Sequence, residues 1–140
     1  MYRSGVGLTP RPLRRIASGG ELSRVMLASK VVLGNADGVD TLVFDEVDAG
    51  VGGSTARALA GVLADLAATH QVIVVTHLAQ VAVMADKHYV VSKEPGDFPQ
   101  THLDEVTGDA RTAEIARMLS GDQSEASLAH ARQMLEEARA

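Results

Sequence analysis

A short apolar run that ends in two adjacent carboxylates constrains this chain more than any other stretch. Residues 41–44 (TLVF) are β-branched or large and apolar, and Asp45, Glu46 and Asp48 follow them. The run predicts a buried β-strand, Thr41–Asp45, that ends at a sheet edge, where open α/β sheets bind their ligands. Carboxylates suit Mg²⁺, which usually binds together with phosphates. The alternative is a strand that leads into a solvated acidic turn, and this stretch alone leaves both open.

Composition narrows the class of protein. The chain has 140 residues, enough for about one domain, and it contains no cysteine, which excludes disulfides, thiolate zinc sites and cysteine nucleophiles. A formal net charge of −5 at pH 7 argues against a large nucleic-acid-binding surface on the chain itself. No apolar run approaches the roughly 20 residues that a membrane span requires.

Hydrophobic periodicity predicts alternating helices and strands along the chain. Helices are predicted over residues 18–33, 54–68, 78–85, 110–119 and 124–140. Further strands are predicted over residues 71–76, as a run covered on both faces, and 88–93, with 101–106 returning antiparallel as a hairpin. The predicted fold class is α/β, with a mostly parallel sheet flanked by helices and a late β-hairpin. An extended segment over residues 1–15 is expected to lead into one domain over residues 16–140.

The stretch Ser18-Gly19-Gly20-Glu21 precedes the first predicted helix. Ser18 and Glu21 have the spacing of a capping box, which is the simplest interpretation. Two consecutive glycines add nothing to a plain cap, whereas at a helix N-terminus they let the backbone approach an anion. The stretch is therefore a candidate phosphate contact.

His77 directly follows the strand predicted over residues 71–76. If that strand is parallel to Thr41–Asp45, His77 lies at the same sheet edge as Asp45 and Glu46, which favours a functional role. The other four histidines have no such placement. A P-loop requires Gly-x₄-Gly-Lys-Ser/Thr, and none of the three lysines follows a glycine. The chain therefore has the Mg²⁺ half of a nucleotide site without the loop that cradles the phosphates.

Together these motifs resemble the C-terminal lobe of an ABC-type ATPase head. SGGE at 18–21 is similar to the signature motif, TLVFDE at 41–46 to the Walker B strand, VDAG at 47–50 to the D-loop, and Thr76-His77 to the H-loop. Within that superfamily the chain resembles the RecN family, SMC-like bacterial proteins of DNA double-strand-break repair. The segments IASGGELSRVMLA, FDEVDAGVGG, VTHLAQVAVMADKHYVVSK and RTAEIARMLSG carry this resemblance.

The resemblance implies a role for each matching residue. Asp45 would hold Mg²⁺, Glu46 would polarise the water that attacks the γ-phosphate of ATP, and His77 would contact that phosphate or the water. The remaining residues would contact an ATP bound mainly by a second head or line the interface between the heads: Ser18, Gly19, Gly20, Glu21, Asp48, Ala49 and Gly50. Two positions depart from the usual pattern, Ala17 where a leucine is common and Gly52 where an aspartate usually closes the D-loop.

The resemblance also implies partners. ATP and Mg²⁺ would be the cofactors, and a P-loop lobe and coiled coil of the same protein would lie upstream. Heads would form a homodimer on ATP binding, DNA would be contacted through the full-length protein, and the setting would be the bacterial cytoplasm, near the nucleoid and without a membrane. The isolated chain is expected to be inactive as an ATPase and to expose an apolar sheet edge or helix surface that the P-loop lobe would cover.

Three alternatives remain open from the sequence. The first is the head of another SMC-like or ABC ATPase. The second is a Mg²⁺-binding phosphoryl-transfer domain of the Toprim kind, which would leave Ser18-Gly19-Gly20 and His77 unexplained. The third is a non-catalytic interaction fragment, in which the carboxylates form only a solvated turn.

Overall fold

The computed structural model of the chain describes residues 19–33, 38–94 and 100–139, so the extended segment expected over residues 1–15 lies outside them. The helices and strands in chain order are α1 (Gly19–Leu33), β1 (Thr41–Asp45), α2 (Gly53–Ala67), β2 (Gln71–Val75), α3 (Ala79–Ala82), β3 (His88–Glu94), β4 (Gln100–Val106), α4 (Gly108–Ser120) and α5 (Glu125–Glu137). Each predicted element is present, with ends that differ by a few residues. The chain forms two compact units that divide between Thr76 and His77.

The first unit contains a two-stranded parallel sheet, which agrees with the α/β fold class predicted from the sequence. β1 and β2 pair in register from Thr41 opposite Gln71 to Asp45 opposite Val75, and α2 connects them. Leu42 and Phe44 of β1 are buried, and α1 packs against β1 while α2 packs against β2. The core of this unit therefore lies on one face of the sheet.

The opposite face of the parallel sheet is open, so the expectation that residues 71–76 are covered on both faces is wrong. Val43, Ile73 and Val75 are 57%, 47% and 58% exposed. Side chains alternate between the two faces of a strand, and the alternating exposure of both strands shows that the described residues cover only one face. The expected exposure of apolar helix surface is seen on α1, where Val32 and Leu33 are 84% and 56% exposed, and the open face of the sheet adds to it.

The second unit combines a β-hairpin with three helices. β3 and β4 pair antiparallel from His88 opposite Val106 to Glu94 opposite Gln100, which confirms the predicted hairpin. The predicted mostly parallel sheet is corrected here, because in the described part of the chain the hairpin forms its own sheet rather than extending β1 and β2. Ile115, Ala116 and Ala131 are completely buried where α3, α4 and α5 meet.

Arg111 of α4 fixes the end of α3. Its Nη2 donates hydrogen bonds to the carbonyl oxygens of Ala82, Val83 and Ala85 at 3.2, 3.3 and 2.6 Å. These are carbonyls at and just after the end of α3, where helical partners run out. Burial lowers the pKa of Arg111, and burial together with the charge of Arg111 lowers the pKa of the neighbouring His88.

Asp122 joins α4 to α5. Its Oδ1 accepts hydrogen bonds from the hydroxyls of Ser127, Ser120 and Ser124 at 2.7, 3.1 and 3.1 Å, and from the backbone N–H of Ser124 at 3.2 Å. These donors favour the ionised form, and they lower the pKa of Asp122 to about 2. Ser124 in turn caps α5 by accepting a hydrogen bond from the Ser127 backbone.

No helix among the described residues has both the length and the apolar character that a membrane crossing requires.

Candidate functional site

The predicted site begins where β1 ends, in the segment Glu46–Gly50, which we call the acidic turn. The Ala49 backbone N–H donates to the Glu46 carbonyl at 3.0 Å, and the Val51 N–H donates to the Asp48 carbonyl at 2.9 Å. Glu46 has a φ of 54°, alone among the described non-glycine residues in being positive. Left-handed backbone is unfavourable for a residue with a Cβ, and such conformations concentrate at functional sites.

The three carboxylates of the turn differ in their surroundings. Asp45 and Glu46 are exposed to solvent. Asp48 is only 1% exposed, and its Oδ2 accepts a short hydrogen bond from the Thr76 hydroxyl. A buried carboxylate requires such partners, so Asp48 ties the acidic turn to the residue that follows β2.

Two glycines let α1 approach the acidic turn. A Cβ placed on Gly20 would lie 2.7 Å from the Glu46 carbonyl oxygen and 2.8 Å from the Ala49 Cβ. A Cβ on Gly19 would lie 2.8 Å from Oε2 of Glu46. The structure therefore brings together four residues that the motifs singled out. It also gives the glycines a packing role that the expectation of a phosphate contact did not include.

Two side chains of α1 hold the acidic turn in place. The Ser23 hydroxyl donates to the Asp45 carbonyl at 2.6 Å. Arg24 Nη1 donates to the carbonyls of Ala49 and Val47 at 2.7 and 3.2 Å. Neither residue was predicted as part of the site. Their helical spacing from the glycine pair could have predicted them, because residues four apart, such as Gly20 and Arg24, lie on the same side of a helix.

Some predicted site residues are not tested by this geometry. Ser18 lies outside the described residues. His77 is the first residue of the second unit, so its expected position beside Asp45 and Glu46 stays a prediction. Glu21 is half-buried in the first turn of α1, where a carboxylate interacts favourably with the helix dipole.

The donor set at the end of β1 fits Mg²⁺ held together with a nucleotide. In the described ranges, no group of three or more histidine, aspartate or glutamate side chains could hold a metal by itself. Mg²⁺ in nucleotide sites is commonly bound by one or two carboxylates, while phosphates and water supply the other ligands. The exposed Asp45 carboxylate could be such a ligand, and the exposed Glu46 carboxylate lies next to it in the chain.

Comparison with known proteins decides the family. No protein-family model matches the chain. A curated protein named "DNA repair protein RecN" from Deinococcus radiodurans is 58% identical over 125 residues, which is 89% of this chain. The proteins of that name from Treponema pallidum and Mycobacterium leprae are 52% and 54% identical, over 96% and 95% of the chain. The chain belongs to the RecN family.

The chain is matched over most of its length but corresponds to only part of each RecN protein. The chain spans 22%, 24% and 23% of the lengths of the relatives from Deinococcus radiodurans, Treponema pallidum and Mycobacterium leprae, so most of each RecN protein has no counterpart in these 140 residues. The name of these relatives assigns them to DNA repair. The resemblance inferred from the motifs is thus confirmed at the level of the family.

Proposed function

We propose that this chain is the part of a RecN-type ATPase head that supplies a Mg²⁺ ligand, a water-polarising carboxylate and a signature loop for ATP hydrolysis in DNA double-strand-break repair and recombination. The observation that carries the proposal is the contact between the glycine-led end of α1 and the acidic turn. The glycine pair Gly19-Gly20 and the acidic turn, which we both assign to ATP, are more than 20 residues apart in the chain and pack together around Glu46.

The residues at the end of β1 suit phosphoryl transfer. Asp45 would hold Mg²⁺, which neutralises phosphate charge when it is bound. Glu46 would accept a hydrogen bond from the attacking water and so orient it, which is the kind of positioning on which this chemistry depends. The strained backbone of Glu46 is held by the hydrogen bond from Ala49 to its carbonyl.

The glycine-led end of α1 suits an anionic ligand from another molecule. Free N–H groups and the helix dipole attract phosphate at a helix N-terminus. Ser18, Gly19 and Gly20 would contact ATP bound mainly by a second head, so that ATP joins two heads into a homodimer. His77 would contact the γ-phosphate or the water, as the resemblance implies.

The open face of the parallel sheet supports docking against another part of the same protein. Val43, Ile73 and Val75 expose a contiguous apolar surface, which is costly to leave in water. We assign that cover to the P-loop lobe, which would complete the nucleotide site. The isolated chain would then lack ATPase activity, and DNA would be contacted through the full-length protein.

A head completed by fusing the P-loop lobe of a RecN relative to this chain tests the proposal. We expect Mg²⁺-dependent ATP hydrolysis, and Glu46→Gln should lower kcat by about 10²-fold or more, the usual contribution of a positioned acid or base. The variant should also accumulate an ATP-bound dimer in sedimentation measurements. Glu136→Gln, an exposed glutamate of α5, serves as the matched control.

Two results would contradict the proposed function. One is a completed head that folds but hydrolyses no ATP. The other is equal turnover by the Glu46→Gln and Glu136→Gln variants. Separately, steady ATP turnover by the isolated 140-residue chain would refute its expected inactivity.

A further inference from the structure

We propose that Arg24 is a positioning residue that couples the glycine-led end of α1 to the acidic turn, so that the two ATP-contacting parts of one head move together. This inference rests on the proposed function. Arg24 is half-buried, and a single nitrogen, Nη1, reaches both the Ala49 and the Val47 carbonyl oxygens. Hydrogen bonds from a charged donor are stronger than those between neutral groups.

The position of Arg24 depends on Gly20. Nη1 of Arg24 lies 3.2 Å from the point that a Cβ on Gly20 would occupy. The same Cβ would also meet the Glu46 carbonyl and Ala49. The missing side chain at Gly20 therefore makes room for both the acidic turn and the guanidinium that holds it. Gly20, Arg24 and the turn form one set of mutual contacts.

The acidic turn has other supports that do not involve α1. The hydrogen bonds from Ala49 to Glu46 and from Val51 to Asp48 lie within the turn, and Thr76 holds Asp48 from the end of β2. Loss of the Arg24 side chain should therefore leave the turn folded while removing its tie to α1. Ser23 would remain as a contact to the end of β1.

This arrangement has a consequence for a head dimer. In the proposed function, the end of α1 contacts the ATP of the partner head, while Asp45 and Glu46 serve the ATP of their own head. Two sites are coupled energetically when a structural element whose equilibrium both ligands bias connects them. The link through Arg24 joins the two contact regions inside one head, so it lets occupancy of one ATP site set the geometry of the other.

The test uses the completed head with the substitutions Arg24→Met, Arg24→Lys and Glu46→Gln. Arg57→Met, which alters an exposed arginine of α2, is the matched control. We expect Arg24→Met to keep the Kd for MgATP within about twofold while kcat falls by about tenfold or more, because the charged hydrogen bonds to Ala49 and Val47 are lost. The Hill coefficient for ATP should fall toward one, and Arg24→Lys should recover part of the turnover because lysine keeps the charge but not the planar fork.

Hydrogen exchange of the isolated chain tests, without ATP, whether the Arg24 hydrogen bonds stabilise the acidic turn. In Arg24→Met, the amides of Ala49 and Val51 should exchange about tenfold faster or more, while those of α2 keep their rates. Arg57→Met should leave both sets unchanged.

The outcomes separate the two hypotheses. A wild-type head without turnover, or one insensitive to Glu46→Gln, contradicts the proposed function, and the exchange data still report whether the link exists. The inference is overturned if the wild-type head turns over ATP normally and Arg24→Met has the same kcat, Hill coefficient and amide exchange as Arg57→Met. A parallel rise in Kd and fall in kcat, with faster exchange throughout α1 and β1, also overturns it, because Arg24 would then only support the fold.

Discussion

The substitution Gly20→Ala probes the contact between α1 and the acidic turn most directly. It adds a single methyl group at a point 2.7 Å from the Glu46 carbonyl oxygen and 2.8 Å from the Ala49 Cβ. Both neighbours belong to a hydrogen-bonded turn, so neither can move aside as a flexible side-chain end could. Adding atoms to a well-packed contact typically costs about 1–3 kcal/mol.

A competing effect has the opposite sign. Alanine is favoured over glycine inside a helix by about 0.5–1 kcal/mol. The mid-range values of the two effects leave a net destabilisation of the first unit by Gly20→Ala of about 1 kcal/mol. Gly61→Ala is the matched control, because Gly61 lies within α2 and no described heavy atom comes within 4 Å of its added Cβ. That variant should be more stable than wild type by about 0.5–1 kcal/mol.

Native-state hydrogen exchange is the suitable assay, because a chain of two compact units need not unfold in one step. Amides of β1 and α2 report the opening free energy of the first unit, and amides of α4 and α5 provide an internal reference. The two variants should shift the first set in opposite directions and leave the reference unchanged. A Gly20→Ala chain as stable as wild type, or more so, would refute the packing role of Gly20.

Three further predictions concern polar side chains. Asp122→Asn should flatten the fall in folding stability between about pH 5 and pH 2, measured by circular dichroism. The pKa of Asp122 is lower in the folded than in the unfolded chain, so the ionised side chain stabilises the fold at higher pH and this gain is lost on acidification. Asp104→Asn, which alters an exposed residue of β4, should leave the pH dependence of stability unchanged. Arg111→Met should raise the pKa of His88 in an NMR titration but not to about 6.5, since burial is the larger cause of its lowering. The same lowered pKa means that folded stability drops as the pH falls below about 6.5. Thr76→Val should destabilise the first unit by about 1–3 kcal/mol in hydrogen exchange, because it leaves a buried carboxylate without one donor.

Local sequence signals predicted the elements of the fold well. The bounds of β1 agree with the prediction, because an apolar run between Asp40 and the carboxylates has no other regular interpretation. The hairpin of β3 and β4 was also predicted. The open face of the sheet was not, because the apolar run of β2 reports a preference for burial and not the presence of a cover.

The candidate site could be predicted only in part. The adjacent carboxylates and the glycine pair stand out as patterns within a few residues of sequence. Ser23 and Arg24 do not, because their partners lie 22 to 25 residues away and become neighbours only through the packing of α1 on β1. The burial of Asp48 was hidden for the same reason, since Thr76 is 28 residues away.

The strain at Glu46 connects these contacts to chemistry. A positive φ at a non-glycine residue costs about 1–3 kcal/mol and persists only where its surroundings determine it. Here the Ala49 amide donates to the Glu46 carbonyl, and Arg24 donates to the carbonyls of Val47 and Ala49. The absence of a Cβ on Gly20 leaves space for the turn and for the Arg24 guanidinium. In the proposed function, a backbone fixed in this way reduces the reorganisation that the Glu46 carboxylate needs to orient a water, which is the basis of catalysis by positioning. Relaxing the turn from the side of α1 should therefore impair turnover more than it impairs nucleotide binding, and this difference distinguishes preorganisation from simple support of the fold.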